Sequence, residues 1–250
     1  MAAVKEIGTS SPADILSMFV AGNRVYMRDR SSSRGVIIVY DADHSTIENI
    51  DPGLDVTGTE TVVLMDVIVA DEWHIIRIEH SERGTFILQA DPSTTTFTII
   101  QTAQIPSDSF IAFMGRRIYA TTEVNETAIV FSFPVGTTDV QLNDSDTVVY
   151  LPVTDGIVVS TWGSIGYLTP SSSGVIMTCD LKVQRGSSTR EVTRLCSLDE
   201  DSKQIQPMNP GMDYGHRDFA ISHTDRVGSR IPYSWQLDAF YVCGRMVGQA

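Results

Sequence analysis

Histidine and aspartate form the sequence's nearest approach to a metal-binding pattern, as two His-x-Asp pairs that begin seven residues apart. The pairs are His216 with Asp218 and His223 with Asp225. Imidazole nitrogens and carboxylate oxygens are common ligands of zinc and other transition metals. On an extended strand, however, positions 216 and 223 point to opposite faces of the sheet. The spacing argues against a shared metal ion, and we expect neither a metal site nor a cofactor.

A single carboxylate, Asp66, interrupts the apolar run from Val62 to Val69. A buried carboxylate needs a partner or a function, and glycoside hydrolysis uses a pair of such groups. No second carboxylate can be assigned from the spacing. Asp66 therefore supports a glycan-binding or glycoside-processing channel only as an alternative, beside a structural role at a bulge in an inner strand.

Arginine is unevenly distributed, because residues 118–181 contain neither Lys nor Arg while the predicted hairpin tips of three units carry arginine. The guanidinium group forms charge-assisted, often bidentate, bonds to carboxylate and phosphate. If the units close into a ring, these tips form one basic arc, which we predict to bind a protein partner with an acidic segment. The alternative is that they are ordinary solvated tips. The six residues are Arg28, Arg30, Arg34, Arg83, Arg226 and Arg230.

The overall charge excludes several classes of partner. The chain of 250 residues has 31 acidic and 18 basic side chains, a net charge of −13. This balance argues against nucleic acid and against anionic membranes. No signal peptide or membrane-spanning run is present. We therefore expect an intracellular, cytoplasmic protein whose cysteines, Cys179, Cys196 and Cys243, are reduced and buried.

Short β-branched and aromatic runs alternate with Gly, Ser, Asp and Pro, which predicts strands rather than helices. The first hairpin strands are centred on Val25, Ile75, Ile118 and Ile165, at spacings of 50, 43 and 47 residues. A strand-only repeat of this length is typical of propeller blades. We predict a single all-β domain, a β-propeller of about five four-stranded blades, with a two-sheet β-sandwich as the alternative. The approximate blades are residues 14–50, 61–101, 109–152, 156–197 and 204–250.

Three segments resemble the kelch-type propeller repeat. Arg24-Val25-Tyr26 resembles the first strand of that repeat, and the stretch from Val39 to Ile47 resembles its Val-Tyr-Asp segment and turn. The stretch from Asp91 to Phe97 repeats the spacing from turn to apolar residue. The family's diglycine and the tryptophan after its turn are missing. The resemblance implies a propeller with a binding role, and it transfers no site residue to this chain.

No coherent catalytic set accompanies these features. We therefore predict a non-enzymatic protein-interaction module or scaffold subunit that presents hairpin tips on a rigid propeller. Two alternatives remain at this point. One is the glycan-binding or glycoside-processing propeller with a channel site, and the other is a structural assembly protein of the coat or tail type.

Overall fold

The structure is a computed structural model that describes residues 15–29, 33–43, 45–70, 73–90, 97–101, 105–106, 109–153, 159–171, 174–185, 187–208, 214–215, 233–234 and 239–240. Throughout these ranges the regular elements are β-strands without any helix, which confirms the all-β class. It follows that this part of the chain has no helix of the length and apolarity needed to cross a membrane. The chain forms two compact units, Met1–Ala103 and Gln104–Ala250.

The first unit contains two antiparallel four-stranded sheets in which each strand pairs with the next along the chain. Sheet A consists of β1 (Ile15–Ala21), β2 (Arg24–Asp29), β3 (Ile37–Asp41) and β4 (Thr46–Ile50). Sheet B consists of β5 (Val62–Ala70), β6 (Trp73–His80), β7 (Gly84–Ala90) and β8 (Phe97–Gln101).

Alternating apolar side chains pack sheets A and B against each other. In β3, Ile37 and Val39 are buried on one face, whereas the intervening residues are only half-buried. Because successive side chains of a strand point to opposite faces, this alternation places one face of sheet A in the core. One cluster joins the two sheets through Tyr26, Ile37, Val39, Leu64, Ile76, Ile78, Phe86 and Leu88.

The opposite side of sheet A is apolar as well, and we call it the outer face. Two rows of paired residues form it across the four strands. Met18, Val20 and Ile47 are 61%, 70% and 52% exposed. The outer face consists of Met18, Met27, Ile38, Asn49, Val20, Val25, Tyr40 and Ile47.

The second unit is built on one nine-stranded sheet with the order β13-β14-β15-β16-β12-β11-β10-β9, and β17 pairs with β15. Strand β13 also contacts β9, β10 and β11, so the sheet curls into a half-barrel around its core. Its strands are β9 (Ile111–Met114), β10 (Arg117–Val124), β11 (Thr127–Pro134), β12 (Val148–Pro152), β13 (Val159–Ser171), β14 (Gly174–Arg185), β15 (Ser188–Asp199), β16 (Gln204–Pro207) and β17 (Tyr214–Gly215). A separate pair consists of β18 (Tyr233–Ser234) and β19 (Ala239–Phe240).

Strand β16 lies where the sequence analysis began the last predicted blade. It instead pairs antiparallel with β15 and parallel with β12, which joins the third and fourth predicted blades in one sheet. The cause is a tight turn, in which the Asp199 carboxylate accepts bonds from the backbone N–H groups of Asp201 and Ser202. The turn directs the chain back along β15 before it can leave the sheet.

Candidate functional site

Two of the predicted arginines lie on hairpin tips of the first unit. Arg34 is exposed in the connection between β2 and β3, and its Nε is 3.1 Å from Oδ2 of Asp51. Arg83 is exposed between β6 and β7, where its guanidinium carbon is 5.3 Å from the centroid of the Phe86 ring. Both arginines remain exposed beside these contacts.

Arg28 differs from the prediction, since it belongs to strand β2 and is only 1% exposed. Residues 24, 26 and 28 alternate along β2 and therefore share one face, and Tyr26 on that face is buried in the core. The expectation that Arg28 projects from the tip is corrected accordingly. Arg28 lies two residues after Tyr26, and this spacing on a strand could have shown that both side chains lie on the same face. Arg30, Arg226 and Arg230 lie outside the described residues.

The two tips lie at the same end of the first unit. At the other end, Arg24 Nη1 is 3.0 Å from Nε2 of His74, which places the start of β2 beside the start of β6. We call the connection between β2 and β3 the first tip and the connection between β6 and β7 the second tip. In the first tip, a Cβ added at Gly35 would lie 3.4 Å from the Cγ2 of Val62. Val62 pairs with His80, the last residue of β6. The ends of β2 and β6, and hence their tips, are neighbours.

The connection between β4 and β5, residues 51–61, contacts both tips, and we call it the strap. Its Val56 N–H donates to the carbonyl oxygen of Ser33 in the first tip, with an N···O distance of 2.7 Å. At the second tip, Ser81 N–H donates to the Thr61 carbonyl at 3.0 Å, and Thr61 N–H donates to Ser81 Oγ at 3.1 Å. The strap therefore fixes both tips to one piece of backbone.

His80 provides a third attachment to the strap and is 1% exposed. Its Nδ1 lies 3.2 Å from the backbone nitrogen of Glu82 and 3.3 Å from that of Arg83. Its Nε2 lies 3.2 Å from the Asp55 carbonyl oxygen. The sequence analysis did not single out His80, although a histidine that ends a strand before a three-residue tip is well placed to accept bonds from the tip.

A buried polar cluster at the opposite end of the first unit joins sheets A and B. Arg24 Nε donates to Asp41 Oδ2 at 3.0 Å, and the rings of Tyr26 and His74 meet edge to face with centroids 5.8 Å apart. Burial, with a smaller contribution from Arg24, lowers the pKa of His74 to about 4. Burial also raises the pKa of Tyr26 to about 12. Near neutral pH both groups are uncharged and serve as hydrogen-bonding contacts between the sheets.

In the second unit, two buried tyrosines contact the turn between β15 and β16. Tyr150 donates its hydroxyl to Glu200 Oε2 at 2.7 Å, and Tyr119 donates to Glu200 Oε1 at 3.4 Å. Lys203 Nζ lies 3.4 Å from Glu200 Oε2. Burial, followed by the Glu200 charge, raises the pKa of Tyr119 to about 12. The protonated phenols orient the carboxylate and hold the turn against the sheet.

Asp66 marks a register shift between β5 and β6 at Leu64 and Asp66. Its Oδ1 accepts a bond from the N–H of Val67, the next residue, at 2.8 Å. This is the bulge that the sequence analysis weighed against a catalytic role. An extra residue in one strand of an antiparallel pair accounts for the interrupted apolar run.

The His-x-Asp pairs at residues 216–225 lie outside the described residues. Within the described ranges, no group of three or more His, Cys, Asp or Glu side chains is arranged to hold a metal ion. Cys179 and Cys196 are buried free thiols, and burial raises the pKa of Cys179 well above its ordinary value. Cys243 also lies outside the described residues.

Comparison of the chain with protein-family models finds no matching family, and comparison with curated proteins finds no significant match.

Proposed function

We propose that this chain is a non-enzymatic interaction module that binds an acidic segment of a protein partner through the tips carrying Arg34 and Arg83. The observation that carries the proposal is that both guanidinium groups are exposed at one end of the first unit, on tips fixed to a common strap. Rigid loops that present exposed charged groups are typical of binding surfaces.

The charge of the chain gives these two arginines their specificity. A protein with a net charge of −13 repels an acidic partner over most of its surface,. Complementary charge at one place then selects both the partner and its orientation. A carboxylate can bridge a guanidinium fork with two bonds, which favours an acidic segment over a neutral one.

The ionisable clusters of the described residues support a binding role over a catalytic one. Arg24 and Tyr26 occupy the ring nitrogens of His74, and the carboxylate of Glu200 receives the hydroxyls of Tyr119 and Tyr150. Each of these groups has a structural bond that a catalytic proton transfer would have to break.

For the architecture we propose a propeller of about five blades, which presents the tips from a rigid frame. Sheets A and B support this proposal, because they are successive four-stranded meanders packed face to face. Neighbouring blades of a propeller pack in this way.

The proposal is tested with a fluorescein-labelled hexaglutamate peptide, whose binding is followed by fluorescence anisotropy at low salt. Arg34→Ala and Arg83→Ala should each weaken binding by about three- to tenfold, since each removes a charge-assisted contact. Added salt should weaken binding to the parent protein as well. The matched control is Lys182→Ala, which removes an exposed cation from β14 in the second unit.

The proposal is wrong if the peptide binds both arginine variants as tightly as the parent. It is also wrong if Lys182→Ala reduces binding as much as either arginine substitution. Circular dichroism of each variant should remain that of the parent, because exposed charges contribute little stability.

A second candidate function is self-assembly, which is favoured by the exposed outer face of sheet A. None of the eight residues that define the outer face is Asp, Glu, Lys or Arg, so two acidic copies can approach there with little repulsion. The test is whether the outer face contacts a second copy of the chain. The photo-crosslinking residue p-benzoylphenylalanine is placed at position 20, and ¹⁴N- and ¹⁵N-labelled proteins are mixed before crosslinking. Mixed-isotope crosslinks support assembly, whereas crosslinks confined to one chain exclude it. The control is the same residue at position 124, where Val124 is 38% exposed.

A further inference from the structure

One peptide group of the strap bonds towards both arginine tips, in addition to the bonds between Thr61 and Ser81. The peptide between Asp55 and Val56 donates its N–H to Ser33, the residue before Arg34. The carbonyl oxygen of the same peptide lies 3.2 Å from Nε2 of His80. The imidazole extends this chain of hydrogen bonds to the second tip, because its Nδ1 accepts a bond from the N–H of Arg83. We call the chain from Ser33 through the Asp55–Val56 peptide and His80 to Arg83 the path.

The bonding pattern defines the tautomer of His80. Two backbone N–H groups point at Nδ1, so Nδ1 carries the lone pair. A carbonyl oxygen faces Nε2, so Nε2 carries the hydrogen. Only the neutral imidazole with hydrogen on Nε2 satisfies both ends. His80 is therefore both the acceptor for one tip and the donor to the strap.

We propose that His80 is a positioning residue that fixes the spacing of Arg34 and Arg83, so that the two tips bind one segment carrying two carboxylates as a single two-point site. This inference rests on the proposed function and specifies the partner further. The imidazole touches no ligand and acts only through the backbone of the strap and of the second tip.

The physical reason is effective concentration. When one carboxylate of a segment is bound by the first tip, the second carboxylate meets the second tip as an intramolecular partner. The increase in affinity depends on how narrowly the distance between the two tips is fixed. A tip released from the path would bind as an independent, weaker site.

Two substitutions of His80 separate the two halves of the path. The side-chain oxygen in His80→Asn replaces Nδ1 as the acceptor but does not reach Asp55. The amide nitrogen in His80→Gln replaces the Nε2 donor but leaves the tip amides without an acceptor. Both variants keep a polar side chain of similar size, and the amide exchange of Ile76, in the middle of β6, reports whether the sheet remains folded.

Amide hydrogen exchange followed by NMR tests the path without any partner. In His80→Asn, exchange at Val56 should accelerate about tenfold while Glu82 and Arg83 stay protected. In His80→Gln, exchange at Glu82 and Arg83 should accelerate while Val56 stays protected. The imidazole ¹⁵N shifts of the parent should show hydrogen on Nε2. Hydrogen on Nδ1, or equal exchange in parent and variants, would overturn the assignment of His80.

Binding of the hexaglutamate peptide tests the coupling of the tips. Each variant is described by its fold-loss of peptide affinity. In the parent background, the fold-losses of Arg34→Ala and Arg83→Ala, multiplied together, should exceed the fold-loss of the double variant by about threefold or more, as expected for coupled sites. In His80→Asn and His80→Gln the product should no longer exceed the loss of affinity in the double variant. The same excess in all three backgrounds contradicts the positioning role. A parent that binds no peptide ends the proposed function, while the exchange data still decide the path.

Discussion

At the scale of single residues, burial, with a smaller contribution from Arg24, keeps His74 uncharged by lowering its pKa. A guanidinium has only hydrogen-bond donors, and Arg24 Nη1 lies 3.0 Å from Nε2 of His74. The same atom lies 3.4 Å from Nδ1, which also contacts the Tyr26 hydroxyl, so a cationic donor borders both ring nitrogens and disfavours the positively charged imidazole. The contact between sheets A and B consequently depends on a neutral imidazole.

The stability of the protein should fall as the pH decreases through the range in which His74 titrates in the unfolded chain. Burial lowers the folded-state pKa from 6.5 to about 4, so the stabilisation is fully present above pH 6.5 and is lost progressively towards pH 4. The loss amounts to at most about 3 kcal/mol. Urea unfolding of the parent and of His74→Gln measures it as the pH-dependent part of their difference. A difference that is constant from pH 7 to pH 4 would exclude this role of His74.

Tyr150→Phe should lower the free energy of unfolding by about 1–2 kcal/mol, because it removes a short bond to a charged acceptor. The matched control is Tyr119→Phe, whose bond to the same carboxylate is longer, at 3.4 Å against 2.7 Å. We expect the smaller loss for Tyr119→Phe in the same denaturant titration. A larger effect of Tyr119→Phe would show that Tyr150 does not hold the turn.

At the scale of elements, the strap determines how the two hairpins of the first unit relate to each other. Gly35, in the connection between β2 and β3, lies against the strap. Its φ is +68°, and an added Cβ would lie 3.3 Å from the Leu54 carbonyl oxygen. A side chain at this position would therefore require the strap to shift by a few tenths of an ångström.

Gly35→Ala should be more destabilising than Gly22→Ala. Both glycines have positive φ, +68° and +61°, but a Cβ at Gly22 meets nothing within 4 Å. The shared cost of the left-handed conformation is about 1 kcal/mol, and crowding against Leu54 should add about 1 kcal/mol or more at Gly35. Thermal unfolding of the two variants gives the comparison. Equal melting temperatures would show that the strap yields easily at this point.

The sequence predicted individual strands better than their connections. The apolar and β-branched run centred on Ile75 predicted a first hairpin strand where β6 occurs. By contrast, the strap acts through backbone groups of Asp55 and Val56, and no side-chain pattern reveals these. The antiparallel return of β16 depends on one aspartate turn, which a repeat length cannot predict.

At the scale of the whole molecule, charge distinguishes the two surfaces of interest. The eight residues that define the outer face of sheet A are all uncharged, whereas the arginine tips place cations on a chain with a net charge of −13. These surfaces suit different partners, since the first can bury apolar area and the second can attract carboxylates. The acidic composition argued against nucleic acid as a partner but could not locate either surface.

The most direct test of the central claim is an NMR titration of ¹⁵N-labelled protein with the hexaglutamate peptide. We predict shift changes concentrated in Arg34 with its neighbours, in Glu82 and Arg83, and in the Asp55–Val56 peptide, with Lys182 unaffected. The changes should disappear in the Arg34→Ala, Arg83→Ala double variant. Saturable shifts that spare both tips, or that persist in the double variant, would contradict the account.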